Sequence, residues 1–325
     1  MGKGLAKIVI VFAAVILAVA AAFTAMIYFA FFRATFVRRE YVQSEKEDLR
    51  YYATEANVAA HYADEAWFES MNPQLVKADS FDGLKLSALK LDREDDKGTI
   101  IMMHGFHSEP LREFATIARF YYGEGYSLLL PYHRSHGKSE GKYLTFGIKE
   151  RYDCKTWIDF VNGERGIEND VYLHGISMGC ATVLMASSLD LPFNVRGIIA
   201  DCGFTSPYEI TYWTTKKRGV KRPELAMKLC GLMTRLFAGF ELDEYSTLRA
   251  MNVNLIPVLF ITGTADERVP MEMTIQNFNA CRAPKELLLI EDSPHAINYF
   301  TDPEKYESHS AAFIKKYALF ANEAN

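Results

Sequence analysis

The sequence has no large excess of charge of either sign and no recurring metal-ligand pattern. Its formal net charge is −5, which gives no reason to expect a nucleic-acid partner. No Cys-x-x-Cys pair and no cluster of His, Asp and Glu with ligand spacing is present, which argues against the common zinc sites. We therefore expect no metal site.

Cysteine is scarce, and its count is odd. The five cysteines lie mostly in apolar runs, so we expect small buried thiols rather than a disulfide framework. No internal repeat is visible either. The cysteines are Cys154, Cys180, Cys202, Cys230 and Cys281.

What the sequence does have is one long uncharged run at its N-terminus. Ile8 to Phe32 holds 25 residues without a charge, which as a helix would span roughly 37 Å. A hydrocarbon core is about 30 Å thick, so the run predicts a transmembrane anchor over residues 8–32. A cleaved signal peptide is the rival interpretation, because Lys3 and Lys7 precede the run and Ala18-Val19-Ala20 resembles a cleavage site. Basic residues flank both ends of the run, so the sequence does not fix the side of the membrane.

The chain divides into three parts on this pattern. Residues 1–36 form the anchor, residues 37–75 a helical juxtamembrane segment, and residues 76–325 the main domain. Spacing of Ala, Leu and Tyr predicts one amphipathic helix from Glu40 to Ser70, ended by Asn72-Pro73. Lys85–Leu91 alternates like an exposed antiparallel strand.

Short apolar runs then alternate with helical stretches. The pattern predicts an α/β fold with a mostly parallel sheet and helices on both faces. The predicted strands are Thr99–Met103, Ser127–Leu130, Val171–His174, Val195–Ala200, Val258–Thr262 and Glu286–Ile290, and the helices include Leu111–Gly123, Lys149–Gly163 and Met178–Leu189.

The interval between Ala200 and Val258 is too long for one crossover, and it predicts a helical cap at about residues 205–250. Two helices are expected in it, Tyr208 to Thr215 and Glu224 to Phe237. Its apolar residues either line the substrate cavity, as an adaptable surface that suits an acyl chain or an aromatic acid, or pack the cap on the core. These are Tyr208, Tyr212, Trp213, Met227, Leu232, Met233 and Phe237. A basic loop between the two helices is either solvated or a contact for anionic lipid, through Lys216, Lys217, Arg218, Lys221 and Arg222.

Two segments fit the pattern Gly-x-Ser-x-Gly, one around Ser139 and one around Ser177. Ser177 follows the apolar strand Val171–His174 and opens a helix, which is the setting of an exposed nucleophile. Ser139 follows a polar stretch and precedes no helix. We therefore predict Ser177 as the nucleophile and Ser139 as a loop residue.

A serine hydroxyl needs a base, and two later loops supply candidates. Asp266 follows Val258–Thr262, and His295 follows Glu286–Ile290, in the order serine, acid, histidine. His295 is the predicted base and Asp266 the residue that orients it. Asp201 is the reserve acid, and Glu267 and Asp292 are more distant alternatives. The predicted oxyanion donors are the backbone N–H groups of Met178, after the nucleophile, and Phe106, in the loop after Thr99–Met103.

These motifs together resemble the α/β-hydrolase superfamily from about Asp79 to Tyr317. The matching segments are His104-Gly-Phe106, Arg134-Ser-His136-Gly-Lys-Ser139-Glu-Gly141, Gly175-Ile-Ser177-Met-Gly179, Gly263-Thr-Ala-Asp266 and His295. The capped branch with monoglyceride lipases, feruloyl-type esterases and proline-iminopeptidase-like enzymes is the most similar. The resemblance implies an eight-stranded sheet with its second strand antiparallel, and cofactor-free hydrolysis through an acyl-enzyme. Tyr132 departs from the branch, where an aspartate is common.

The expected function is hydrolysis of carboxylic esters, either lipid-like or with small acyl groups, by a membrane-anchored monomer. A peptidase or a thioesterase of the same fold is an alternative. A catalytically silent binding protein is another, although such a protein would not need a serine, an acid, a histidine and an oxyanion loop together.

Overall fold

The computed structural model of the chain describes residues 2–41 and 51–318. Its strands are β1 Gln74–Asp79, β2 Lys85–Leu91, β3 Thr99–Met103, β4 Ser127–Tyr132, β5 Val171–Ile176, β6 Val195–Asp201, β7 Val258–Gly263 and β8 Lys285–Ile290. Its α-helices are α1 Gly2–Ile27, α2 Arg33–Phe36, α3 Glu55–Ser70, α4 Pro110–Gly123, α5 Glu150–Arg165, α6 Met178–Ala186, α7 Pro207–Lys217, α8 Pro223–Met233, α9 Thr247–Met251, α10 Met271–Ala280, α11 Asn298–Thr301 and α12 Pro303–Tyr317. Tyr28–Phe32 and Thr234–Ala238 are π-helical turns.

The eight strands form one sheet in the order β1-β2-β4-β3-β5-β6-β7-β8. Strand β2 pairs antiparallel with both β1 and β4, and all other neighbours pair in parallel. The predicted sheet is therefore confirmed. Strands β3 to β6 are almost wholly buried, because they are apolar along their length and helices cover both faces of the sheet.

Two apolar clusters, one on each face of the sheet, make the core. Side chains at alternating positions of one strand enter opposite clusters, as Ile100 and Ile101 of β3 do. A third cluster lies between the start of α6, the cap and the end of the N-terminal helix, and it includes Phe32 and Phe36. This third cluster lies at the carboxyl edge of the sheet, where open parallel sheets bind ligands.

Two predictions about the segment before the core were wrong. The predicted single helix is interrupted: Glu40 is non-helical, Tyr51 and Tyr52 are helical, and a new helix, α3, begins at Glu55. It begins there because Thr54 is extended and its side chain accepts the Asn57 N–H. Arg38 is also non-helical and donates its backbone N–H to Lys142 O. Residues 42–50 of the predicted helix lie outside the described residues. Strand β2 is antiparallel as expected but buried, since β1, which the sequence analysis missed, pairs along its outer edge.

The N-terminal helical segment runs from Gly4 to Phe36 and is long and apolar enough to cross a membrane or to act as a signal sequence. In the interval predicted to be a cap, the structure has α7 and α8, and the predicted helix ends lie within a few residues of the observed ones.

Candidate active site

Ser177 lies in the sharp turn between β5 and α6. Its φ and ψ are 56° and −112°, a strained backbone for a residue with a side chain, and its N–H donates to Asp201 O over 2.9 Å. Strain of this kind persists only where surrounding structure holds it. Here the buried β5 precedes the turn and the buried α6 follows it.

The glycines on either side of Ser177 are required by close packing. A Cβ on Gly175 would lie 2.3 Å from Gly179 O, and one on Gly179 would lie 1.8 Å from Met103 O. Both contacts are with backbone that cannot move independently. A side chain at either position would therefore collide with the neighbouring backbone.

A hydrogen-bonded chain joins the predicted serine, histidine and acid. His295 Nε2 lies 2.9 Å from Ser177 Oγ, and His295 Nδ1 lies 2.6 Å from Asp266 Oδ2. Asp266 Oδ1 in turn accepts the N–H groups of Arg268 and Val269 over 2.8 and 2.9 Å. The carboxylate is thus fixed by its own loop, and it favours the tautomer of His295 with the proton on Nδ1.

The alternative acids are engaged elsewhere. Asp201 accepts hydrogen bonds from Asn298 Nδ2 over 2.6 Å and from the Tyr306 hydroxyl over 2.9 Å, and burial raises its pKa to about 6. Glu267 is exposed and pairs with Lys217. Asp292 is exposed as well. The carboxylate that contacts His295 is that of Asp266.

The loop that carries Phe106 packs against the start of α6. The near contact of Gly179 with Met103 O and His104 O brings this loop beside Met178. Phe106 and Met178 therefore lie on adjacent segments next to Ser177, where two backbone donors would face one developing oxyanion. Their role as oxyanion donors remains a prediction.

Two residues to which the sequence analysis gave no role hold this loop in place. Glu113 in the first turn of α4 accepts the Gly105 N–H over 2.6 Å, and His136 Nε2 accepts the His107 N–H over 3.1 Å. Burial raises the pKa of Glu113 and lowers that of His136 to about 3. The available signal was Glu113 itself, an acid on the otherwise apolar face of α4. His104 also supports the loop, because its Nε2 accepts the His133 N–H over 3.1 Å.

A cavity of about 640 Å³ opens at Ser177 and His295. Of the two interpretations of the cap's apolar residues, packing on the core holds for Met227 and Met233, which belong to the third cluster, and for Tyr208 and Tyr212, which pack against it. None of the seven residues lines this cavity. Helix α7 contributes Ile210, Thr211 and Thr214, and Arg218 follows directly after it on the same face, whereas the aromatic residues of α7 lie on other faces. Helix α8 buries Met227 and Met233 in the third cluster, and its leucines face outward. Phe31, Ala34 and Thr35 from the end of the N-terminal helix complete the wall.

One group of side chains has the spacing to approach a metal ion. The ligand atoms of Cys202, Asp266 and His295 lie within 4.8 Å of one another. An ion there would have to break the 2.6 Å hydrogen bond between His295 and Asp266. Burial also raises the pKa of the Cys202 thiol well above its usual range, which disfavours the thiolate that binds metals. The donor set fits an acid–base pair better than a metal site.

The five basic residues of the loop between α7 and α8 differ in their contacts. Lys217 Nζ donates to the carbonyl and the carboxylate of Glu267, each over 2.8 Å, and Arg218 lines the cavity. Lys216, Lys221 and Arg222 are exposed. Lys217 and Arg218 thus have contacts within the protein, and contact of the basic loop with an anionic surface stays a prediction.

Comparison with known proteins agrees with the fold. Residues 94–226, which include Ser177, match the model of the serine aminopeptidase S33 family. The uncharacterized protein YqkD of Bacillus subtilis is 25% identical over 247 residues, which cover 76% of this chain and 81% of the relative. The esterase Pf2001 of Pyrococcus furiosus superimposes with a TM-score of 0.64 at 24% identity, over 77% of this chain and 94% of that one. The α/β-hydrolase GrgF of Penicillium sp. sh18 gives 0.62 at 18% identity, over 76% and 99%. The chain thus has the α/β-hydrolase fold, and these similarities support a hydrolase.

Proposed function

We propose that the chain is a membrane-anchored serine hydrolase that cleaves carboxylic esters. The observation that carries the proposal is the chain of hydrogen bonds from Ser177 Oγ through His295 to Asp266, with separations of 2.9 and 2.6 Å, at a strained turn beside a cavity. A protein that only binds ligands has no need of that strain or that alignment.

The proposed reaction has two halves. Ser177 Oγ attacks the ester carbonyl carbon while its proton passes to His295 Nε2, and Asp266 stabilises the resulting imidazolium. The alcohol leaves with that proton, and the acyl group stays on Ser177. Water then attacks the acyl carbon and gives a proton to His295, which returns it to Ser177 as the acid departs. Backbone N–H groups of Phe106 and Met178 would stabilise the oxyanion in both halves.

The charges around the cavity favour an ester over an aminopeptidase substrate. Arg112, Arg218 and Arg268 line the cavity, whereas the carboxylate that lines it, Glu113, accepts the Gly105 N–H. An aminopeptidase must bind a free ammonium group, which arginines repel. Burial lowers the pKa of His107, also in the wall, to about 4, so that this imidazole is neutral at pH 7.

The proposed anchor rests on the N-terminal helix, whose residues Gly4 to Met26 are exposed over 23 consecutive positions. A surface helix that is apolar all round is typical of a membrane span. Intact-mass measurement of the chain from its native membrane tests this point. Retention of residue 2 supports the anchor, and a mature start after Ala20 would show a cleaved signal peptide instead.

We also propose that Lys216, Lys221 and Arg222 contact anionic lipid. Each basic residue near a charged bilayer contributes about 1 kcal/mol, and these three side chains are exposed. Adding phosphatidylserine to phosphatidylcholine vesicles should raise the activity of the reconstituted wild type toward an ester embedded in the bilayer. The triple glutamine variant should respond less, and an equal response would contradict the proposal.

Full-length protein in detergent tests the function directly. We expect hydrolysis of 4-nitrophenyl butyrate and little cleavage of alanine 4-nitroanilide, with a loss of at least about 10³-fold in Ser177→Ala. Cleavage of the anilide or of a butyryl thioester in preference to the oxygen ester, lost in the same variant, would make the chain a peptidase or a thioesterase. Hydrolysis that survives in Ser177→Ala would remove the proposed nucleophile.

A further inference from the structure

The carboxyl end of the N-terminal helix packs into the hydrolase domain. Phe32 and Phe36 are fully buried, with ring centroids 5.9 Å from that of Tyr143 and 5.3 Å from that of Phe146 respectively. The Leu144 N–H donates to Phe36 O over 2.9 Å. The end of the apolar helix therefore packs directly against the domain.

The same turns of helix form a wall of the substrate cavity. Phe31, Ala34 and Thr35 line it together with Ser177 and His295. Phe29, two residues earlier, is 60% exposed. At about 1.5 Å rise per residue, the cavity lies within roughly 10 Å of the apolar helix that would enter the membrane.

The second cap helix continues this apolar surface. Helix α8 buries Met227, Cys230 and Met233 on its inner side. Its outer side carries the leucine stripe, which consists of Leu225, Leu229, Leu232 and Leu236, the last in the following π-helical turn. Leu225, Leu232 and Leu236 are 48%, 51% and 67% exposed, and Leu229 is partly exposed.

A leucine stripe of this kind is unusual for a surface in water. Helices of soluble proteins direct polar residues outward, whereas a helix that lies in a membrane interface buries an apolar face in the acyl boundary. The stripe is also continuous with the N-terminal helix, because the ring of Phe237 lies 5.9 Å from that of Phe32. The occupant that fits both surfaces is one lipid leaflet.

We propose that the active site takes its substrate from the bilayer: the leucine stripe rests in the leaflet next to the N-terminal helix, and a long-chain acyl ester enters the cavity from that leaflet. The inference rests on the proposed ester hydrolysis and specifies its substrate class. A path along the helix spares a long acyl chain from passing through water, where every exposed methylene is unfavourable.

Two esters with the same leaving group separate the membrane step from the chemistry. Full-length protein in phosphatidylcholine vesicles is assayed with 4-methylumbelliferyl acetate, which is soluble, and with the palmitate, which partitions into lipid. In Leu232→Asp/Leu236→Asp we expect palmitate hydrolysis to fall at least 10-fold and acetate hydrolysis to stay within about 2-fold of wild type.

Phe193→Asp/Leu255→Asp is the matched control. These two residues are 60% and 84% exposed and precede β6 and β7, at the sheet edge opposite the site. The control should leave both rates unchanged. Equal loss of both rates in the cap variant, or palmitate rates equal in both variants, would overturn the inference. Hydrolysis of acetate but not palmitate by wild type would overturn it while leaving ester hydrolysis intact, and hydrolysis of neither would remove the proposed function.

A nitroxide label tests the position of the cap without any catalysis. All five native cysteines are buried, so a label on Leu232→Cys is selective. In vesicles we expect this label to be relaxed more by dissolved oxygen than by a water-soluble nickel chelate, and the same label on Leu255→Cys to show the reverse. Equal accessibility to the chelate at both positions would overturn the inference even if no ester is cleaved.

Discussion

The two Gly-x-Ser-x-Gly segments have the same pattern and different surroundings. Ser177 lies between a buried strand and a buried helix, with its hydroxyl 2.9 Å from an imidazole that lines the cavity. Ser139 lies in a loop, where its hydroxyl donates to Tyr132 O over 2.7 Å and accepts the Ser87 N–H over 2.9 Å. One serine is poised beside a base, and the other ties a loop to β2.

The histidines near the two serines differ in the same way. His133 and His136, which precede Ser139, are buried, and burial lowers their pKa values to about 4 and 3. His295 lies in the cavity wall between Ser177 and Asp266. The pattern itself therefore carries little chemistry, and the strand before it and the helix after it decide which serine can react.

The largest expected effect is the difference in activity between variants that lack the Ser177 hydroxyl and variants that lack the Ser139 hydroxyl. Ser177→Ala should lower kcat/KM for a short acyl ester by at least about 10³-fold, because it removes the attacking atom. Ser139→Ala should stay within about 3-fold of wild type. Steady-state kinetics of the two variants, purified side by side, measure both. A loss in Ser139→Ala as large as that in Ser177→Ala would erase the distinction.

The next largest effect is a difference between the glycines of the two segments, since substitution should lower activity in one and stability in the other. Gly179→Ala places a Cβ 1.8 Å from Met103 O, so the nucleophile helix must move away from the oxyanion loop, and we expect at least about 10²-fold loss of activity. Gly137→Ala, at a position where φ is 44°, places its Cβ nearest to the ring of Tyr132 and a carboxylate. It should cost stability, about 1–3 kcal/mol, with little loss of activity per folded molecule. Full activity in folded Gly179→Ala would contradict the packing argument.

The loop serine should reveal its role in stability. Ser139→Ala leaves the buried Ser87 N–H without its acceptor, at a cost of about 1–3 kcal/mol in the free energy of unfolding. Ser177→Ala removes no buried bond to the backbone and should change that free energy by less than about 0.5 kcal/mol. Denaturant unfolding of both variants measures these free energies. A larger loss in Ser177→Ala than in Ser139→Ala would contradict the assignment.

The buried histidines should make a smaller contribution that depends on pH. The folded-state pKa of His136, about 3, lies below the unfolded value of about 6.5, so the unfolded state binds more protons between these values. The stability that His136 contributes is complete above about pH 6.5 and is lost as the pH falls. Between pH 7 and 5, His136→Gln should therefore lose less stability than wild type, by about 2 kcal/mol. Exposed His309→Gln is the control, and equal slopes in all three proteins would contradict the prediction.

The sequence predicts the centre of this fold better than its periphery. Strands β3 to β7 are short apolar runs between helices, and their type follows from local pattern. Strand β1 was missed because it is an edge strand with largely exposed side chains and no clear alternation. The start of α3 was misplaced because Thr54 caps the helix at a point that composition does not mark.

The order of serine, acid and histidine was readable because each follows a recognisable strand. The remaining site features depend on contacts between distant segments. Phe32 and Phe36 read as the end of an apolar run, and only the folded chain packs them against the cap and the cavity. Likewise, the rotation of α7 and α8 decides which cap residues face the substrate, and a helix that is apolar on two sides leaves that rotation open.

A fluorophosphonate that labels activated serines tests the central claim most directly. After reaction of the full-length protein, digestion and mass spectrometry should find one adduct, on the peptide that contains Ser177, and labelling should vanish in His295→Ala. An adduct on Ser139 or another serine, or labelling of equal extent in Ser177→Ala, would contradict the account.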